Sequence, residues 1–242
     1  MEGLEALIAD LVAANRILAH EEVVDSFGHV SVRHPRDPQR YLLSRARAPE
    51  VIEAGDIMEF TLEGEPVNAA HRKPYLERFI HGAIYEARPE IQSVVHNHSH
   101  NVIPFGVTGE RLRPIMHTCA KIGFEIPVWD IQTGFGDTNL LVTNMAMGRD
   151  LAKTLGAGAS ALMRGHGCVV AATSLKEAVY IAVYLDVNAK LQMSAHHLSR
   201  DIKFLSRGEV GTIIGADSDV GLERAWEVWC RRAGVARPQG TA

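Results

Sequence analysis

Hydrophobic and polar positions follow two periods along this chain, and together they predict interleaved helices and strands. Apolar residues recur at helical spacing over residues 3–20, which predicts an amphipathic opening helix. Residues 28–35 and 40–45 are rich in strand-forming side chains, and Pro35 and Asp37 stand between them. Turn residues between two such segments are typical of a hairpin. We therefore expect one helix and then two antiparallel strands.

The same patterns divide the rest of the chain into alternating helices and strands. They predict a hairpin over 56–67 with Gly64 at its turn, a helix from Pro74 through Tyr85, a strand over 91–98, helices near 99–106 and 143–155, strands around 159–164 and 167–172, a long helix from about Leu175 to Ser199, and a last helix with Trp226 and Trp229. Interleaving with several hairpins favours an α/β fold, in which helices cover a mixed or largely antiparallel sheet.

Length and composition indicate one globular domain over residues 1–242. The chain has 242 residues, 46% of them hydrophobic and 22% charged, which suffices for one substantial core. The Pro- and Gly-containing tail, about 235–242, is expected to be flexible. There is no internal repeat, and no glycine-rich nucleotide motif follows a strand.

Charge and hydropathy limit the classes of binding partner and the cellular locations that we expect for this protein. The formal charge is -4 and the pI is near 6.3, so no basic surface is expected for nucleic acid or anionic lipid. No apolar stretch is long enough for a membrane helix, and the N-terminus carries acids where a signal peptide needs basic residues. These features predict a cytoplasmic location. Cys119, Cys168 and Cys230 lack metal or redox spacing and are expected to be reduced.

Two histidines at the end of an apolar strand form the first candidate metal site. The predicted strand 91–98 runs into His96 and His98, and alternate side chains of a strand project to the same side. Two imidazoles can then bind one ion, at about 2.0 to 2.1 Å for zinc. The alternative is an ordinary polar strand end.

A third histidine and a carboxylate complete the candidate site. His166 lies between Gly165 and Gly167, which allow a sharp turn that holds one imidazole at its tip. Glu77 is expected on the first turn of the helix before the histidine strand. The alternative explanation for a glutamate there is that the helix dipole favours an acidic residue at the start of a helix. Three histidines with one carboxylate suit zinc, manganese or iron(II), with Glu77 as fourth ligand or as acid/base.

These motifs resemble the class II aldolase/adducin family over roughly residues 4–200. GHVSVR stands where the family has a G-N-[IVL]-S strand, LERFIH matches its E-x-x-x-H helix, HNHSH and RGHG match its histidine segments, and the tract that begins SLKEAVYIAV is similar to its long helix. The resemblance implies a three-layer α/β/α fold with a central mixed, largely antiparallel sheet. It also implies a divalent metal, a homotetramer with active sites at subunit interfaces, and carbon–carbon bond cleavage.

The chain differs from the sugar aldolases of this family at the positions where they bind phosphate. His29 replaces an asparagine, and Ser44, Arg45 and Arg47 replace a Thr-Pro-Ser-Gly type of turn. KPYL, over 73–76, replaces a serine pair. Phosphate needs several short donors, whereas an arginine fork grips a planar carboxylate. We therefore expect a carboxylate substrate bound by Arg45 or Arg47, with Ser44 as a hydrogen-bonding group; the alternative is that one arginine only solvates a loop.

This pattern is similar to a decarboxylase branch of the family, which acts on ortho-hydroxy aromatic or pyridine dicarboxylates. Our hypothesis is that the metal chelates the ring hydroxyl, or its keto tautomer, and the neighbouring carboxylate, and that the metal-bound oxygen accepts the electrons as CO2 leaves. Glu77, His29 or a metal-bound water would return the proton. The alternatives are an aldolase for a small hydroxy acid or sugar phosphate and a non-catalytic, adducin-like scaffold. Retention of the whole ligand set argues against the scaffold.

Overall fold

A seven-stranded sheet forms the centre of the structure. The computed structural model describes residues 2–67, 69–216 and 219–235. The strands are β1 His29–Arg33, β2 Arg40–Ser44, β3 Ile57–Thr61, β4 Ser93–Asn97, β5 Val128–Trp129, β6 Ser160–Met163 and β7 Gly167–Ala172. Their order is β3-β2-β1-β4-β7-β6-β5, and all neighbours are antiparallel except β5 and β6, which are parallel.

Helices cover both faces of this sheet. They are α1 Glu2–His20, α2 Arg78–Ala87, α3 Ile103–Val107, α4 Ile131–Phe135, α5 Met145–Leu155, α6 Leu175–Leu198, α7 Arg207–Ala216 and α8 Asp219–Arg232. One buried cluster joins the sheet to α1, α6 and α8, and a second joins its other face to α2 and α5. The predicted three-layer α/β/α class with a mixed, largely antiparallel sheet is confirmed.

Strand β4 lies near the middle of the sheet, between β1 and β7, and is buried along its whole length. Its alternate side chains enter different layers: Val95 packs with α1 and α6, whereas Val94 packs with α2 and α5. Burial on both faces explains why the apolar residues Val94 and Val95 are adjacent in the sequence instead of alternating with polar residues. The strand therefore holds the residues at its end in a rigid position.

Three predicted segments differ in detail. The predicted helix from Pro74 begins only at Arg78, because Pro74 forms an isolated antiparallel bridge with Arg45 and the residues between remain outside the helix. Over 56–67 the turn at Gly64 is present, but in place of a full second strand the described return arm forms an isolated bridge between Phe60 and Pro66. The helix expected near 99–106 is reduced to the short α3.

Several elements were not predicted. They are the two-residue strand β5, the short helix α4, the helix α7 and the 3-10 helices over Pro49–Val51, Ala54–Asp56 and His117–Ile122. Of the tail predicted to be flexible, 236–242 lie outside the described residues. All three cysteines are buried, and no disulfide bond joins them. None of the helices in the described ranges has the length and hydropathy needed to span a bilayer.

Candidate metal centre

Four side chains from three parts of the chain converge at one end of the central strands. His96 lies on β4 and His98 directly after it, His166 lies in the turn between β6 and β7, and Glu77 directly precedes α2. The Nε2 atom of His98 lies 3.1 Å from that of His96 and 3.0 Å from that of His166. Glu77 Oε2 lies 3.5 Å and 3.4 Å from the Nε2 atoms of His96 and His166. When one ligand atom is taken from each of the four residues, these atoms all lie within 4.8 Å of one another.

Backbone carbonyls orient two of the imidazoles. His96 Nδ1–H donates to the carbonyl of Cys168 over 3.0 Å, and His166 Nδ1–H donates to the carbonyl of Leu140 over 2.9 Å. Because Nδ1 carries the proton in each ring, Nε2 presents a lone pair to the other ligands. Metal-binding histidines typically have this outer hydrogen bond, which fixes both the tautomer and the ring orientation.

The carboxylate of Glu77 is also held in place. Its Oε1 accepts the backbone N–H of Val142 over 2.9 Å, which leaves Oε2 directed at the histidines. Glu77 is the residue that precedes α2, rather than lying on its first turn as expected, and its side chain does not cap the helix. Burial acts to raise the pKa of Glu77, but the neighbouring imidazoles of His166 and His96 outweigh it and hold the pKa well below its usual range. The ionised form is the one that binds a cation.

The donor set fits a divalent ion. Nitrogens bound at about 2.0 to 2.1 Å lie about 3.3 Å apart in a tetrahedron and about 2.9 Å apart at right angles. The observed 3.0 and 3.1 Å separations lie between these values, nearer to three ligands on one face with further positions open. Burial, with the neighbouring His96 and His166, lowers the pKa of His98 to about 4, so this ring is also neutral near pH 7.

The two glycines beside His166 have different functions. Gly165 adopts a left-handed conformation with φ of +65°, which glycine tolerates best. Gly167 has no positive φ, but a Cβ there would lie 2.0 Å from the carbonyl oxygen of Asn97. The first glycine forms the turn, and the second lets β7 approach the end of β4.

A buried hydrogen-bonded chain begins beside this centre. His29 Nδ1 lies 2.6 Å from His81 Nε2, His81 Nδ1 lies 2.6 Å from Ser31 Oγ, and Ser31 Oγ lies 2.7 Å from the Tyr85 hydroxyl. His29 pairs with His96 across β1 and β4, with ring centroids 5.1 Å apart. Burial is the main cause that lowers the pKa of His81 to about 3 and that of His29 well below its usual range. Both rings are therefore neutral near pH 7.

The two predicted substrate arginines share one buried carboxylate. Asp56 accepts from Arg45 Nε over 2.5 Å and from Arg47 Nη1 over 2.6 Å. Burial opposes ionisation of Asp56, but the Glu53 backbone N–H and the two guanidinium groups lower its pKa to about 2. The three side chains together carry one net positive charge.

Tyr75 connects this arginine loop to the metal centre. Its hydroxyl donates to the carbonyl of Arg47, and its ring centroid lies 4.6 Å from that of His29. Ser44 is fully buried beside the same hydroxyl. Tyr75 and Asp56 were not predicted from the sequence to be part of the site. The strand register contains the missing signal for Asp56, because Ser44 pairs with Ile57 and the next residues, Arg45 and Asp56, are therefore neighbours.

Comparison with known proteins gives matches over most of the chain. A family model described as Class II Aldolase and Adducin N-terminal domain matches residues 9–193. The decarboxylase tropJ of Talaromyces stipitatus is 35% identical over 93% of this chain and 92% of its own length. A 3,4-dihydroxyphthalate decarboxylase of Arthrobacter keyseri is 27% identical over 89% of each chain. The solved L-fuculose 1-phosphate aldolase from Glaciozyma antarctica superposes with a TM-score of 0.76 at 22% identity, over 96% of this chain and 92% of that one.

Proposed function

Because the chain belongs to the class II aldolase and adducin family, we propose that it is a metal-dependent, non-oxidative decarboxylase of an ortho-hydroxy aromatic or hydroxypyridine dicarboxylate. The expectation of a lyase is confirmed, since the named relatives are decarboxylases and aldolases. The observation that carries the proposal is the convergence of three histidines and a carboxylate in a chain that aligns with two kinds of decarboxylase over nearly its whole length. The aldolase structure supports the fold alone at its level of identity.

Glu77, His96, His98 and His166 are the residues that would hold the metal. A divalent ion bound there would supply a Lewis acid for the substrate oxygen that gains negative charge. Imidazole and carboxylate ligands accept zinc, manganese and iron(II), so all three are candidates. The ionised Glu77 and the oriented lone pairs of His96 and His166 support this assignment because these groups need no rearrangement to bind a cation.

Arg45 and Arg47 are proposed to bind the carboxylate that stays on the product. Their shared partner Asp56 holds both guanidinium groups and neutralises one of the two positive charges, and the exposed Glu53, 3.6 Å from Arg47 Nη1, offsets part of the other. Both arginine side chains remain partly exposed, at 37% and 28%, whereas that of Asp56 is 8% exposed. Ser44 is proposed as a neighbouring hydrogen-bonding group.

His29 and Glu77 are the side chains proposed to act during the reaction. A proton first adds to the ring carbon that bears the departing carboxylate, and the ortho hydroxyl gives up its proton and becomes a keto oxygen. The bond to the carboxylate then breaks, its electron pair passes through the ring to that oxygen, CO2 leaves, and the oxygen takes up a proton again. His29 would donate a hydrogen bond or a proton at this oxygen or carbon, and the position of its ring beside that of His96 supports this role. Glu77, the carboxylate that directly precedes α2, is the other group proposed to carry the proton.

The proposal is tested by CO2 release from metal-loaded protein over a panel of ortho-hydroxy aromatic and pyridine dicarboxylates. We expect release on at least one member, its loss with a chelator and in His96→Ala, and its retention in His197→Ala, which removes an exposed histidine. Metal binding without CO2 release, accompanied by aldol cleavage of a hydroxy acid or sugar phosphate, would replace the decarboxylase with the aldolase. Absence of metal binding would support the scaffold.

We also propose that residues 1–242 form one domain that assembles as a homo-oligomer, a tetramer by family resemblance. Two exposed apolar side chains beside the metal centre support an interface there. Phe27 is 64% exposed with its ring centroid 6.3 Å from that of His98, and Leu76, next to Glu77, is 62% exposed. Analytical ultracentrifugation of the protein and of a Phe27→Ser, Leu76→Ser variant tests this, and a wild-type monomer would contradict it.

A further inference from the structure

The hydrogen-bonded chain that ends at His29 has a direction that can be derived from its donors. Its members are His29, His81, Ser31 and Tyr85, linked in that order by contacts of 2.6 to 2.7 Å. Each member is at least 97% buried, so water cannot supply missing partners from bulk solvent. Buried polar groups are costly when a donor lacks an acceptor, so the arrangement that satisfies every donor is favoured.

Tyr85 determines the direction. Within the described residues, Ser31 Oγ is the acceptor that lies in hydrogen-bond reach of the Tyr85 hydroxyl. If the tyrosine donates to Ser31, the serine hydroxyl donates to His81 Nδ1, and His81 Nε2–H donates to His29 Nδ1. The opposite direction would make Ser31 donate to the tyrosine oxygen and would leave the phenolic hydrogen without a partner. Burial raises the pKa of Tyr85, so this hydrogen stays on the phenol.

The favoured direction assigns the proton of His29. Since Nδ1 accepts from His81, a neutral His29 carries its hydrogen on Nε2. The two nitrogens of an imidazole point in different directions, so this N–H is directed away from His81. The other rings around His29 belong to Tyr75 and His96, with centroids 4.6 and 5.1 Å away. His29 therefore presents its Nε2–H group, which can donate but cannot accept a hydrogen bond, on the side of the metal centre.

We propose that Tyr85, Ser31 and His81 are positioning residues that hold His29 as a fixed Nε2–H donor to an anionic oxygen of the substrate. This inference rests on the proposed function, because the oxygen in question is the one that gains charge as CO2 leaves. A fixed donor aimed at developing negative charge stabilises the transition state more than the ground state. The fixed Nε2–H of His29 would also make the site bind ligands with an anionic oxygen at this position more tightly than ligands that present a hydroxyl hydrogen there.

The tautomer can be measured without any substrate. Long-range proton–nitrogen correlation spectra of the full-length protein, labelled with 15N-histidine and loaded with diamagnetic zinc, report which nitrogen is protonated. His29→Asn and His81→Asn proteins assign the signals. We expect both rings to be neutral and protonated at Nε2 between pH 6 and 8. A proton on Nδ1 of either ring would overturn the proposal, whatever the outcome of the CO2 assay.

Kinetics separate positioning from structural support. Loss of a direct oxyanion donor costs about 100- to 1,000-fold in kcat, so loss of its orientation in Ser31→Ala is expected to cost about 10-fold, with KM within about threefold. Ser31→Thr keeps the hydroxyl and should recover most of the rate. Tyr41→Phe is the matched control, because Tyr41 is also a fully buried tyrosine. Its hydroxyl donates to the carbonyl of Arg78, which is not a member of the hydrogen-bonded series from Tyr85 to His29.

Equal losses in Ser31→Ala and Tyr41→Phe, or no recovery in Ser31→Thr, would refute the positioning role. If the wild-type protein releases no CO2 from any compound, the proposed function fails, and the spectra still decide the direction of the chain. Thermal unfolding of each variant identifies proteins that have lost their fold.

Discussion

Replacement of Gly167 by alanine is expected to separate His166 from the other metal ligands. The new Cβ would lie 2.0 Å from the Asn97 carbonyl oxygen and 3.1 Å from the Cα of His98. An ordinary contact needs about 3.3 Å or more, so β7 and β4 must move apart by about 1.3 Å. Metal–ligand distances tolerate only about 0.2 Å. We therefore expect metal affinity to fall at least 100-fold, beyond the 10- to 100-fold typical of outer-shell changes, and stability to fall by about 1 to 3 kcal/mol.

Gly165→Ala is the matched control, because it lies on the other side of His166. A Cβ at Gly165 would have its nearest neighbour at 3.6 Å, which is an ordinary contact. The substitution is therefore expected to lower the stability of the fold by about 1 to 2 kcal/mol, mainly because alanine disfavours a φ of +65°. Zinc affinity, measured by competition with a chromophoric chelator, should stay within about threefold of wild type. Thermal unfolding followed by circular dichroism identifies folded variants. A Gly167→Ala protein that is folded and binds zinc as tightly as wild type would refute the argument from strand separation.

Three further predictions concern the groups around the centre. Zinc at 100 times its Kd should stabilise the wild-type protein by about 2.7 kcal/mol; Glu77→Ala should lose most of this gain in a thermal scan, and an unchanged gain would remove Glu77 from the ligand set. Arg47→Ala should lower kcat/KM for a dicarboxylate about 10- to 100-fold but leave a matched monocarboxylate unaffected, and equal losses on both would contradict the clamp. Asp56 has a lowered pKa of about 2, so its stabilising effect is present above its unfolded pKa of about 3.9 and is lost as pH falls towards 2. The gap in urea stability between wild type and Asp56→Asn should therefore shrink from pH 6 to pH 2.5, and a constant gap would contradict the assignment.

The sequence predicted the groups whose signals are local. His96 and His98 lie two apart on an apolar strand, and Gly165 and Gly167 mark the turn that holds His166. Period and turn chemistry are properties of neighbouring residues, and the structure brings these histidines together. By contrast, a two-residue strand such as β5 is too short to show any period, and it forms only because β6 offers it a parallel edge.

Contacts between residues far apart in the sequence explain the other features of the structure that were not predicted. Pro74 is a favoured first residue of a helix, yet it forms a bridge to Arg45, and the helix begins only at Arg78, after a turn at Leu76 and Glu77. His29 and His81 are 52 residues apart, and only the packing of α2 on β1 makes them partners. The pairing of Asp56 with two arginines needs the register of β2 against β3, which composition and spacing do not contain.

The placement of the metal ligands on both sides of the β4–β7 junction has a consequence for how the protein folds. His98 and His166 are 68 residues apart along the chain, so the loop between them must close before their nitrogens can meet. Closing such a loop is entropically unfavourable, and contacts of this range form late in folding. A metal ion can therefore bind the full ligand set only after the two halves of the sheet have joined. Its free energy would appear mainly as slower unfolding, with little effect on the rate of folding.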